Sequence, residues 1–363
     1  MRAADRGRAL TRALIGLALA SACARATDPP APPVAADAPT PAIATAPAQP
    51  AVAEASPTTA ATPTATPAVA AEGPRLPDGT AIAPCEAAPA NMACIPGGPA
   101  IRGRDDGEPN ERPQQTVYLQ TFYLDRFEVT IAQYKACVRA GQCPKGGPFY
   151  PDFSRPHQPV VGVTWRGAKA FCEAEGKSLP TEAQWEKAAR GEAGEAFPWG
   201  DAPATCRLAV IRDKRGRSCG TTMARSSEPY KGRTFVVGSR PEGRYGLFDM
   251  AGNAWEYVAD WYSPDYAQCG EACAGVDPKG PCGGAEPCEG HSEKLVKGGS
   301  WYWSAHYAHG AHRRPQPPDN RPFHHFGFRC AASVAQAAAI RDRPLAAEAP
   351  QIDERNPDRD RGL

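Results

Sequence analysis

Three histidines, His306, His309 and His312, recur at three-residue spacing near the C-terminal end of the chain, and His324 and His325 follow them. Five of the seven histidines in the protein therefore fall in one stretch. On a helix this spacing would place three imidazoles on one face, where their nitrogens could bind zinc or copper. In an irregular loop the spacing fixes less, and local hydrogen bonding or a polar groove accounts for the residues as well. No flanking carboxylate stands out as a partner that would orient a metal-bound imidazole. The same stretch opens on Lys297-Gly298-Gly299-Ser300-Trp301-Tyr302-Trp303 and carries Tyr307. With Trp255, Trp261 and Tyr262, its aromatic side chains could line a groove that stacks on a glycan or grips an extended peptide; packing into a core is the alternative. Ser300, Trp303, His306 and Tyr307 are the candidate groove residues. Nothing identifies a base committed to Ser300, and the chain has no phosphate-binding glycine loop, no Gly-x-Ser-x-Gly elbow and no His-Glu-x-x-His pair.

The domain that must position these residues occupies only part of the 363-residue chain. Residues 1–23 carry Arg2, Arg6, Arg8 and Arg12, then the apolar run 13–20, then Ser21-Ala22-Cys23, which is the order of an export signal. The apolar run is too short to span a membrane. Its end resembles a bacterial lipobox, with Ala20 where leucine is usual, so a lipid on Cys23 is expected to tie the protein to a membrane. Cleavage after Ala22 and release is the alternative. Either way the protein is exported, as a cell-envelope lipoprotein or a secreted protein. Residues 24–84, almost wholly Ala, Pro, Thr and Val, cannot bury enough apolar surface to offset their ordering and read as a disordered tether. A domain is expected over 85–334 and a charged, disordered tail over 335–363. The net charge of +1 gives no attraction for nucleic acid.

An oxidising compartment makes disulfides the default for the 13 cysteines. With Cys23 acylated, the spacings suggest the local pairs Cys85–Cys94, Cys137–Cys143 and Cys206–Cys219. Cys269, Cys273, Cys282 and Cys288 form a group whose pairing stays open and which loosely suggests zinc. Alternating residues over 115–124 predict strand, Thr130 and Thr164 are placed to cap helices, and Thr181 followed by Gln184 forms a capping box. After Arg190 the chain turns to Gly, Pro, Trp and Cys, and regular structure should be scarce.

Seven blocks stand in a fixed order: Ile95-Pro96-Gly97-Gly98, Phe127-Glu128-Val129-Thr130, Gly176 to Glu186, Phe197-Pro198-Trp199-Gly200, Tyr245 to Glu256, Lys297 to Trp301, and Gly327-Phe328-Arg329-Cys330. From about residue 92 to 334 they resemble the formylglycine-generating enzyme (sulfatase-modifying factor) family. The resemblance implies an irregular α/β fold of the C-type-lectin-like group, with loops building the site and with Trp255 and Trp301 in the core. It implies a disulfide between Cys172 and Cys330, and a structural calcium ion held by Asp249, the carbonyls of Gly252 and Ala254, and Glu256, oxygen donors that suit a hard cation. Active relatives oxidise a substrate cysteine to formylglycine with two cysteines and a copper ion. Counting from Ser300, those cysteines fall at Trp303 and Ala308, neither of which supplies the soft sulfur that copper needs. The expectation is therefore a binding or scaffolding module at the cell envelope, with a peptide or glycan ligand and without formylglycine-generating activity. The alternative is a metal-dependent oxidoreductase using His306, His309 and His312.

Overall fold

The computed structural model describes residues 73–147, 151–221, 232–320, 324–350, 356, 358 and 359, all within the unit Val69–Leu363. The export signal, Cys23 and the tether as far as residue 72 lie outside the described residues. The fold is an irregular mixture of short strands, helices and long loops built on three small sheets. In the first, β1 (Met92–Ile95) and β10 (Ala331–Ser333) flank β4 (Phe122–Asp125), antiparallel on both sides. In the second, β3 (Gln115–Leu119) lies between β2 (Gly98–Arg102) and the two-residue β6 (Gly275–Val276). The alternation expected over 115–124 holds only over 115–119, where it turns Val117 and Leu119 inward; past Gln120 and Thr121 the separate strand β4 buries Phe122, Tyr123 and Leu124 in succession, because it is the central strand of its sheet.

The third sheet carries the histidine stretch. Its central strand, β5 (Trp255–Trp261), pairs antiparallel with β7 (Lys294–Lys297) and parallel with β9 (Phe326–Gly327), and β8 (Arg314–Gln316) lies outside β7. Three helices form where the sequence places their caps. Thr130 accepts from the Gln133 N–H at the start of α1 (Ile131–Arg139), Thr164 from Gly167 at α2 (Trp165–Ala174), and Thr181 from Gln184 at α3 (Glu182–Arg190). One core packs Trp165, Phe171, Trp255 and Phe328 around the Cys172–Cys330 bridge; another surrounds Trp185 with Leu119, Leu124, Val258 and Leu295. Trp255 and Trp301 are fully buried, as expected.

Every cysteine among the described residues is paired. Cys85–Cys94, Cys137–Cys143, Cys206–Cys219 and Cys172–Cys330 form as expected, and the open group resolves into Cys269–Cys273 and Cys282–Cys288, which removes its zinc alternative. Two boundaries need correction. The tether was expected to run to residue 84, but Leu76 is buried, Arg75 bridges to Ala81, and the Thr121 hydroxyl donates to the Ala83 carbonyl. The tail was expected to begin at 335, but α4 (Val334–Ile340) starts on a Ser333–Gln336 capping box and buries Ala337 and Ile340. Farther on, Asp358 is buried against Arg233. A buried leucine, a helix cap and an ion pair thus anchor segments whose average composition reads as loose.

Candidate functional site

His306 lies on a 3-10 turn, Ala305–Ala308, and His309 and His312 follow on the approach to β8. The run is not one helix, yet it turns back on itself: the His312 N–H donates to the His309 carbonyl at 3.0 Å. Gly310 between them donates to the Ala196 carbonyl at 2.8 Å, and a Cβ there would lie 2.4 Å from Cγ of Arg190, so only glycine fits. The three rings gather, with centroids 6.0 Å apart for His306 and His309, 6.2 Å for His306 and His312, and 5.6 Å for His309 and His312.

The partner of these histidines comes from the loop between β2 and β3. Glu111 ends the 3-10 turn Pro109–Glu111 and is fully buried. Its Oε1 is 2.9 Å from His312 Nδ1 and 3.6 Å from His309 Nε2, while Oε2 accepts from the Glu108 N–H at 3.3 Å. The exposed His306 places Nε2 3.3 Å from Oε1 of Glu108. The absence of a carboxylate, expected from the neighbouring sequence, is thus corrected: Glu111 lies about 200 residues away in sequence, 201 from His312. Arg313 holds the two segments together, donating to the Asn110 carbonyl at 2.7 Å and to Glu182 at 2.7 and 3.1 Å, and the Asn110 amide returns a hydrogen bond to the Arg313 carbonyl.

Burial favours the neutral ring of His309, whose pKa is pushed down to about 3 although Glu111 opposes the shift. Burial alone would raise the Glu111 carboxyl, but the hydrogen bond from His312 and the nearby His309 and Lys297 hold it below the usual range. Among the described residues, Glu111, His309 and His312 are the group of His, Cys, Asp or Glu side chains whose ligand atoms converge within 4.8 Å. Beside them a cleft of about 510 Å³ is lined by Glu108, Pro109, Asn110, Tyr262, Tyr307 and His312.

The groove candidates divide. Tyr307 lines the cleft, and the exposed His306 ring lies 5.0 Å from the Tyr307 ring. Trp303 is half-buried, packed between Tyr307 at 5.0 Å and Tyr302 at 5.2 Å, with the Arg314 guanidinium 5.1 Å from its ring. Ala308 is buried in a different cluster with Phe197, Cys206 and Ile211. Ser300 must be corrected: it is fully buried, its carbonyl accepting from the Trp303 N–H, so it turns the chain and does not face a ligand.

The residues expected to hold calcium have partners within the protein. Asp249, Gly252 and Ala254 share one turn, but both oxygens of Glu256 bind Arg329 at 2.7 Å, and one also accepts from Trp185 Nε1 at 2.8 Å. Oδ2 of Asp249 accepts from the Gly238 N–H at 2.6 Å. The neighbouring buried carboxylate, Glu128, takes hydrogen bonds from the Ala254 N–H and the Asn253 amide. Asp249 and Glu256 are thus each held by hydrogen-bond donors of the protein itself.

Residues 80–334 match the family model for the sulfatase-modifying factor enzyme 1-like domain. The chain belongs to this family. Among relatives of the sulfatase-modifying factor domain, the formylglycine-generating enzyme of Thermomonospora curvata is 32% identical over 299 residues, covering 66% of this chain and 93% of its own. The protein named inactive C-alpha-formylglycine-generating enzyme 2 of Mus musculus is 27% identical, covering 72% of this chain and 90% of its own. Among solved structures, PvdO from Pseudomonas aeruginosa is 25% identical with a TM-score of 0.49, covering 68% of this chain and 95% of that one.

Proposed function

We propose that this sulfatase-modifying factor domain is a binding module of the cell envelope that does not generate formylglycine. The observation that carries the reading is the state of its sulfur: all twelve cysteines among the described residues are in disulfides. Trp303 and Ala308 stand where the resemblance puts the reactive thiols, one stacked among aromatics and the other buried in an apolar cluster. A copper ion held by two thiolates has no ligands in such an arrangement. A named inactive member among the relatives agrees with this reading.

The ligand we assign to the cleft beside Tyr307 is a glycan or extended peptide of the envelope. Tyr262 and Tyr307 offer faces for stacking, and Glu108 and Asn110 offer hydrogen-bonding groups beside them. Export and a lipid on Cys23 would place the cleft at the envelope. Screening untagged protein against envelope glycan fragments and peptides tests the assignment, with a Tyr262→Ala, Tyr307→Ala double variant expected to lower affinity roughly tenfold. Retention of no such ligand, or equal retention by the double variant, would count against it. A second reading, a metal-dependent oxidoreductase at His306, His309 and His312, draws support from the convergence of two of these rings on Glu111. Turnover that follows bound copper or iron would favour it.

A further inference from the structure

We propose that Glu111, His309 and His312 form a binding site for one divalent transition-metal ion of the zinc class, bordering the cleft beside Tyr307. Two imidazoles and one carboxylate are a donor set zinc accepts, with a fourth position left for water or an incoming group. A tetrahedral ion with bonds of about 2.0–2.2 Å sets neighbouring donor atoms roughly 3.4 Å apart. The separations here, 2.9 Å from Glu111 Oε1 to His312 Nδ1 and 3.6 Å from the same oxygen to His309 Nε2, bracket that value.

Two observations set the cluster apart from an ordinary buried hydrogen bond. His309 aims Nε2 at the carboxylate oxygen that His312 already engages but stops beyond hydrogen-bonding distance, so its placement is not accounted for by that bond. All three side chains are more than nine-tenths buried, on segments held in register by Arg313 and Asn110, which fixes the donors before any ion arrives. His312 also lines the 510 Å³ cleft, giving the ion a route to solvent. His306 is not counted among the donors: it is exposed and turned to Glu108. His309 Nδ1 has no hydrogen-bond partner, so this imidazole lacks the outer acceptor that strengthens zinc-bound histidines, and affinity should fall below that of a four-ligand structural site.

The inference is independent of what the cleft binds, because metal uptake is measured without an organic ligand. Untagged protein stripped with a chelator is titrated with zinc chloride by calorimetry, and separately with cobalt(II), whose visible absorption reports tetrahedral nitrogen and oxygen coordination. One equivalent of each ion is expected, with visible cobalt bands. Glu111→Gln and His309→Ala should each weaken zinc binding by roughly a hundredfold or more, and His157→Ala, an exposed histidine elsewhere, should stay within about threefold. Near-UV circular dichroism establishes that each variant is folded; should His309→Ala fail, His309→Asn replaces it. No stoichiometric zinc in the parent protein, no cobalt bands, or undiminished binding by folded Glu111→Gln and His309 variants would overturn the site.

Discussion

Removing the Cys172–Cys330 bridge should be the most damaging disulfide loss in the molecule. It joins α2 to the residue before β10 across a sequence separation of 158, whereas Cys137–Cys143 spans only 6. The chain-entropy relation gives about 5 kcal/mol for the long loop and about 2 kcal/mol for the short one at room temperature. Three further bridges, Cys206–Cys219, Cys269–Cys273 and Cys282–Cys288, lie inside the long loop and shorten its free path, but the logarithm makes that correction only ~0.1 kcal/mol. Both sulfurs of the long bridge are fully buried, so double replacement by alanine adds a small void to the loss. The assay is guanidinium unfolding of Cys172→Ala, Cys330→Ala beside Cys137→Ala, Cys143→Ala without reductant. A difference of about 3 kcal/mol is expected, large against the 5–15 kcal/mol stability typical of a domain. Equal losses in the two double variants would refute the loop-length reasoning.

Three other perturbations have definite expected outcomes. Glu182 is buried and accepts from Arg102 at 2.5 Å and from Arg313 at 2.7 and 3.1 Å, so Glu182→Ala leaves two guanidinium groups without their carboxylate and should cost about 3–5 kcal/mol in urea unfolding; a loss under about 1 kcal/mol would contradict it. Asp260 is buried, and burial raises its pKa to about 6, above its usual 3.8. The folded state therefore keeps a proton that the unfolded state releases between about pH 4 and 6, and stability relative to Asp260→Asn should fall as pH rises through that window; a flat difference would contradict the placement. Because Glu256 is committed to Arg329, adding a calcium chelator should leave the thermal midpoint unchanged, and a clear drop would support the calcium assignment.

The parts of the fold legible in the sequence are those written in local chemistry. Thr130, Thr164 and Thr181 announce three helices because a cap acts within three residues of itself. Cys85–Cys94, Cys137–Cys143 and Cys206–Cys219 follow from cysteine spacing in the same way, whereas four cysteines within 20 residues left the pairing of Cys269, Cys273, Cys282 and Cys288 open, and Cys172–Cys330 was legible only through the resemblance. Ser333 and Gln336 carried the same capping signal at α4, but the charged residues beyond drew the reading toward a tail. At the site, the histidine triplet was visible as spacing, whereas Glu111 was not. It sits on a short turn with no periodicity, and it reaches His312 only because Arg313 ties Asn110 to the strand approach. Ser300 was misjudged for a related reason: a motif names a residue but not the Trp303 turn that engages it.

The central claim is that the family scaffold is kept here without its thiol chemistry. Copper-loaded, untagged protein incubated with oxygen, reductant and a cysteine-containing substrate peptide, followed by mass spectrometry of the peptide, tests it directly. The peptide is expected to keep its cysteine, as it would with copper alone. Conversion of that cysteine to formylglycine above the copper-only background would contradict the account.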